Sequence, residues 1–159
     1  MSVVHVITVS DGAFHGTRED TGGPALAGIL AAAGFEVSGP EVVPDERERI
    51  TAAIVAAALN GSRLVVTTGG TGLGPRDVTP QATQAAIEFD VPGIAEAMRA
   101  AGAKSTPMAV LSRGIAGVRG RTLVINVPGS PEGAVESLEA VMPVVGHALD
   151  LLQGDTHHQ

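Results

Sequence analysis

Cysteine is absent from this 159-residue chain, as are Trp and Tyr, and Phe occurs three times. The first absence excludes a disulfide scaffold, thiolate zinc sites, iron–sulfur clusters and a cysteine nucleophile. With so few aromatic rings there is no stacking platform for single-stranded nucleic acid. Basic residues are scarce as well: ten against seventeen acidic ones leave a net charge of −7, which repels nucleic acid and anionic membrane surfaces. The opening segment lacks a basic stretch and is too short for a secretory signal, and no apolar run approaches bilayer length. These absences predict a soluble cytoplasmic protein with no nucleic-acid or membrane partner.

Small residues are what the chain has in quantity, with 24 Ala and 21 Gly, so the core is built from small aliphatic side chains. The length suits one domain that buries about two thirds of its unfolded surface. No repeat or long polar linker divides it, so residues 1–153 read as a single domain and 154–159 as a polar tail. The His157-His158 pair in that tail is expected to be solvated rather than metal-bound.

Val3 to Val9 is a β-branched run suited to a strand covered on both faces, with His5 a satisfied strand histidine. A helix is expected from Pro24, stopped by Gly34, then a weaker strand over Val37 to Val43. Asp45 with Glu48 resembles an N-terminal cap for a helix carrying Ile50, Ile54, Val55, Ala58 and Leu59, closed by Asn60-Gly61. Leu64 to Thr68 reads as a third strand, Thr79-Pro80 as an N-cap and first helical position, and Gly93 to Ala101 as another helix. Arg121 to Val127 is a further strand. Glu132 to Leu152 is helical, bent or split at Pro143. Strands alternating with helices at this spacing predict an α/β fold, a mostly parallel sheet sandwiched between two helix layers.

In such folds ligands bind outside the carboxyl ends of the strands, where helix N-termini attract anions. Three unusual turns fall there: Ser10-Asp11-Gly12, the glycine loop from Gly69 to Asp77, and Pro128-Gly129-Ser130-Pro131. The spacing predicts that they share one cleft. Four glycines in six positions admit an anion close to the backbone, yet Pro75 stands where a Walker loop needs Lys and where the dinucleotide fingerprint needs Gly. Arg76, Asp77 and a helix start at Thr79 put a cation, a carboxylate and N–H donors just behind the loop.

Thr68-Gly69-Gly70-Thr71-Gly72 with Pro75-Arg76-Asp77-Val78-Thr79-Pro80, then Leu111-Ser112-Arg113-Gly114 and Asn126-Val127-Pro128-Gly129-Ser130-Pro131, resemble the Mog/MoaB family of molybdenum cofactor biosynthesis over nearly the whole chain. The resemblance, which extends to the gephyrin G region, implies a molybdopterin-binding domain, commonly a homotrimer, that adenylylates molybdopterin with ATP and Mg²⁺. It implies a handover to a molybdate-inserting MoeA-type enzyme. Carried over, it implies that the essential carboxylates, as Mg²⁺ ligands, are Asp77 and Asp45. Substrate contacts fall on Ser10, Asp11, Gly69, Gly70, Thr71, Gly72, Ser112, Arg113, Gly129 and Ser130. One departure is Gly12, where relatives often carry Arg or another polar residue, which removes a cation from the first turn.

Adenylyl transfer to a phosphate monoester unites anions that repel each other, so its catalysis is positioning and charge neutralisation. Simpler roles compete: Asp45 as a helix cap, Asp77 as a turn brace, Ser130 as an N-cap, Ser112 and Arg113 as a surface turn. Arg119 and Arg121 read as solvated hairpin charges and His147 as a boundary residue. Two other functions fit the same residues, a non-catalytic molybdopterin carrier of the MoaB kind and a CinA-like module. The acidic pair favours the enzyme over the carrier, and the lack of a companion domain disfavours the third.

Overall fold

The computed structural model describes residues 3–154. In chain order its elements are β1 (Val3–Val9), α1 (Asp11–Phe14), α2 (Gly22–Ala32), β2 (Glu36–Val43), α3 (Arg47–Leu59), β3 (Leu64–Thr68) and α4 (Thr79–Ala86). Then follow β4 (Phe89–Asp90), α5 (Pro92–Ser105), a 3₁₀ turn (Pro107–Leu111), β5 (Ala116–Arg119), β6 (Thr122–Val127) and α6 (Pro131–Leu152). The strands form one sheet in the order β2-β1-β3-β6-β5-β4. Its β2, β1, β3 and β6 are parallel, and β5 and β4 are added antiparallel.

Alternation along the strands builds two cores. Val4, Val6, Leu64, Val66, Leu123, Ile125 and Val127 face α2, α5 and α6, while Ile7, Val9, Val65 and Val124 face α3 and α4. The helices answer with one apolar stripe each: Ile50, Ala53, Ile54 and Ala57 on α3, and Ala134, Leu138, Val141, Val145 and Leu149 on α6. Each fully buried aliphatic side chain contributes about 1.5–3 kcal/mol. The predicted three-layer α/β sandwich is therefore present. His5 is satisfied, its ring hydrogen-bonded with Ser38 and Glu41. No helix among the described residues is long and apolar enough to cross a membrane.

Several local expectations are corrected. Helix α2 begins at Gly22 rather than Pro24, because the Asp20 carboxylate accepts the Gly23 N–H at 3.0 Å. Helix α5 extends beyond Ala101 to Ser105, and β4 and the 3₁₀ turn are too short to leave a periodic signal. Pro143 does not split α6, because it lies on the exposed side, where water can satisfy the carbonyl it orphans. Thr79 is no cap: it is buried inside α4, and its hydroxyl donates to the Gly69 carbonyl at 2.9 Å. The paired histidines of the tail lie outside the described residues.

One buried polar group ties the layers beneath the glycine loop. Asn126, 1 % exposed, donates to the hydroxyls of Thr67 and Thr83, each at 2.9 Å, and accepts the Ile115 N–H at 3.2 Å. Asn126→Ala should cost about 2–3 kcal/mol through orphaned partners. Calorimetry should record this as a fall in Tm of about 5–10 °C; an unchanged Tm would show that the bonds are dispensable.

Candidate active site

Strands β1, β3 and β6 run parallel and end on one rim, where the three turns leave the sheet. The turns line a common cleft of about 390 Å³, together with the head of α2 and Asp45. Hydrogen bonds to backbone carbonyls join the second and third turns. Gly69 N donates to the Val127 carbonyl at 3.2 Å, and Thr68 Oγ1 to that of Pro128 at 2.7 Å. Gly69 and Gly70 hold φ of +100° and +69°. A Cβ at 69 would collide with the Val9 carbonyl oxygen and push the strand ends apart, and one at 70 would collide with the Thr79 hydroxyl at the head of α4.

Arg113 braces this loop from behind. Its Nε donates to Gly72 O and its Nη2 to Asp77 O, both at 2.8 Å, its Nη1 meets Gln81 Oε1 at 3.3 Å, and its own N–H donates to Thr71 O at 2.8 Å. All three guanidinium nitrogens thus serve the protein. Of the residues named from the sequence, Ser10, Asp45, Gly69, Gly70, Asp77, Gly129 and Ser130 line the cleft. Asp11, Thr71, Gly72 and Arg113 stand behind it, and Ser112 lines a neighbouring pocket.

Asp45 is not the cap of α3, which starts after Glu46 without a side-chain cap bond. Its Oδ2 accepts the Asp11 N–H at 2.8 Å, and Asp11 Oδ1 accepts the Asp45 N–H at 2.9 Å, a reciprocal clasp between the first turn and the chain after β2. Arg76 extends the clasp to the glycine loop by donating to both Asp11 oxygens at 3.0 and 3.1 Å. These bonds split the two carboxyl groups electrostatically. The Arg76 hydrogen bond, then that from the Asp45 backbone, holds Asp11 below the usual aspartate range. Burial, then the charges of Asp11 and Asp77, pushes Asp45 above it.

Asp77 Oδ2 accepts the Gly74 N–H at 2.9 Å while its carboxyl borders the cleft. Among the described residues no three His, Cys, Asp or Glu side chains could hold a metal ion. Asp45 and Asp77 both border the cleft, and two carboxylates fit the chemistry of a cation that arrives with phosphates, since Mg²⁺ takes one or two carboxylates and completes its octahedron with phosphate oxygens and water. Ser10 and Ser130 cap α1 and α6, accepting from Ala13 N at 3.1 Å and Gly133 N at 3.2 Å, which leaves each hydroxyl hydrogen free to donate. The N-termini of α2 and α6 both open on the cleft and favour an anion there.

Sequence reasoning missed Arg18, Asp20 and Thr21, which reach the cleft from the connection between α1 and α2. A signal existed for Asp20, a capping residue just ahead of Gly22-Gly23-Pro24; Arg18 carries no local pattern. Beside the cleft, and sharing Ser130 with it, lies a pocket of about 210 Å³ walled by Met98, Gly102, Met108 and Ala109, with Arg99, Ser112 and Glu136 as polar members.

Because the folded protein raises the Asp45 pKa, its ionisation is costlier in the folded than in the unfolded state. The associated stability is full at pH below the ordinary aspartate value of about 3.9 and declines as pH rises through the folded value. Asp45→Asn should therefore melt above the wild type at pH about 7, and the gap should close as pH is lowered through about 3.9. Melting curves with a gap that is independent of pH would contradict this.

A family profile described as "Probable molybdopterin binding domain" matches residues 5–147. The molybdopterin adenylyltransferase of Helicobacter pylori (strain 26695) is 39% identical over 163 residues, covering 98% of this chain and 91% of the relative. Among solved structures, the molybdopterin biosynthesis enzyme MoaB of Thermus thermophilus superposes with a TM-score of 0.90 at 54% identity, covering 97% of this chain and 98% of that one. The Mog protein of Mycobacterium ulcerans gives 0.90 at 39%, covering 96% and 99%. With the glycine loop, the clasped aspartates and the capped α6 assembled on one rim, the chain belongs to the Mog/MoaB family of molybdenum cofactor biosynthesis proteins.

Proposed function

We propose that this protein adenylylates molybdopterin with ATP. The observation that carries the reading is the pair Asp45 and Asp77 in one cleft whose other walls are glycine backbone and helix N-termini. The molybdopterin phosphate, ionised at neutral pH, attacks the α-phosphorus of ATP; the new P–O bond forms as the bond to the bridging oxygen breaks, and pyrophosphate leaves. No general base is required. Gly69 and Gly70 let the phosphates approach the backbone, and the Ser10 and Ser130 hydroxyls donate to their oxygens. Asp45 and Asp77 would hold Mg²⁺, which when bound neutralises charge on the phosphates. The apolar pocket beside Ser130 takes the pterin ring, so that the phosphate reaches the cleft at the serine both cavities share.

A molybdopterin carrier is the second reading, since the apolar pocket beside Ser130 would hold a pterin whether or not ATP is turned over in the cleft. Incubation with molybdopterin, ATP and Mg²⁺ separates the two. The enzyme releases pyrophosphate and forms adenylyl-molybdopterin, whereas a carrier binds the pterin without turnover. Asp77→Asn should lower turnover by about 100-fold or more while molybdopterin affinity stays within a few-fold; full activity would reject the role given to Asp77. Assembly as a homotrimer, a cytoplasmic setting where ATP is at hand, and handover to a MoeA-type enzyme belong to the same proposal. Gel filtration should accordingly show a particle of about three times the 16.0 kDa chain.

A further inference from the structure

We infer that Arg18 is the cation that grips a substrate phosphate in this cleft, and that Gly12 is what lets it lie there. The inference rests on the adenylylation reading for its ligand class. Glu19, Asp20, Asp45 and Asp77 all border the cleft, and Arg18 is the one Arg or Lys among its described lining residues. Two polyanionic substrates entering so acidic a space need positive charge. The neighbouring arginines have committed theirs, Arg76 to Asp11 and Arg113 to Gly72, Asp77 and Gln81. The Arg18 side chain meets no hydrogen-bond acceptor or carboxylate among the described residues. Its planar fork is suited to two phosphate oxygens at once.

The backbone sets Arg18 in place. The Gly12 carbonyl accepts N–H bonds from Thr17 at 2.9 Å and Arg18 at 3.2 Å, folding the connection back over α1. The stem of Arg18 then crosses the bare face of Gly12, where an added Cβ would stand 2.9 Å from Arg18 Cβ and 3.5 Å from its Cδ. The nearer atom belongs to the root of the side chain rather than its flexible end, so relief would require moving the whole residue. Positions 12 and 18 are thus one device.

Arg18→Met keeps the stem and removes the charge. Calorimetric titrations with Mg²⁺–ATP and, separately, with molybdopterin are expected to show affinity for at least one of them falling by about 10-fold or more. The ligand affected identifies whose phosphate is held. Gly12→Ala should weaken the same ligand less, and adding it to Arg18→Met should cost nothing further. Because the side chain has no hydrogen-bond or ionic partner among the described residues, the Tm of Arg18→Met should match the wild type. Unchanged affinity for both ligands overturns the inference, as does a Gly12→Ala loss of equal size in the Arg18→Met background. If the wild type binds and Arg18 matters but no pyrophosphate appears, the inference stands and adenylylation falls; if the wild type binds neither ligand, both fall.

Discussion

The site depends on how closely three strand ends approach one another. Val9, Thr68 and Val127 finish on adjacent parallel strands, and the turns that follow touch through Gly69, which meets the Val9 carbonyl on one side and lies against Gly129 on the other. A side chain at 69 would need more room between strands than the ladder spacing of about 4.8 Å supplies. Backbone N–H groups, two helix N-termini and two capping serines are consequently packed around one cleft, with no lysine involved. A loop this rich in glycine would lose too much chain entropy to stay ordered alone. Arg113 and Thr79 supply the restraint, donating to the backbone carbonyls of Gly69, Thr71, Gly72 and Asp77.

Charge is organised against stability. Asp11 is neutralised by Arg76 and serves the architecture, while Asp45, clasped to it through two backbone N–H bonds, is left half-buried beside like charges. The Asp11 N–H and the Arg76 charge offset part of that ionisation cost, and burial with the neighbouring carboxylates outweighs them. A cation brought by phosphate would offset the rest, which makes this carboxylate a candidate functional group.

The fold was legible because its signals are long: β-branched runs for β1, β3 and β6, apolar stripes for α3 and α6, and glycine or proline at nearly every boundary. The rim was legible for the same reason, since parallel strands place their following turns on one side. What stayed hidden was pairing between distant short segments. Asp45 followed by Glu48 carries a capping pattern, yet the carboxylate is captured by an amide thirty-four positions away. Thr79 before Pro80 reads as a cap until burial turns its hydroxyl to Gly69. Arg113 lies beyond the 3₁₀ turn, and only the antiparallel return of β5 alongside β6 brings it behind the loop.

Gly12 marks the limit of reading residues singly. Taken alone it subtracts a cation from the first turn, and the sequence offers no reason to look six positions further on. In three dimensions the missing side chain is the space through which the Arg18 stem passes, and Arg18 joins the cleft lining from six positions further on. A flexible arm anchored by two N–H bonds to one carbonyl can adjust its reach, whereas the bonded Arg76 and Arg113 cannot move without releasing the loop they hold. The division follows from the chemistry: groups that set the shape of a phosphate site must be in place before ligand arrives, and a guanidinium without a partner among the described residues is left to meet the ligand.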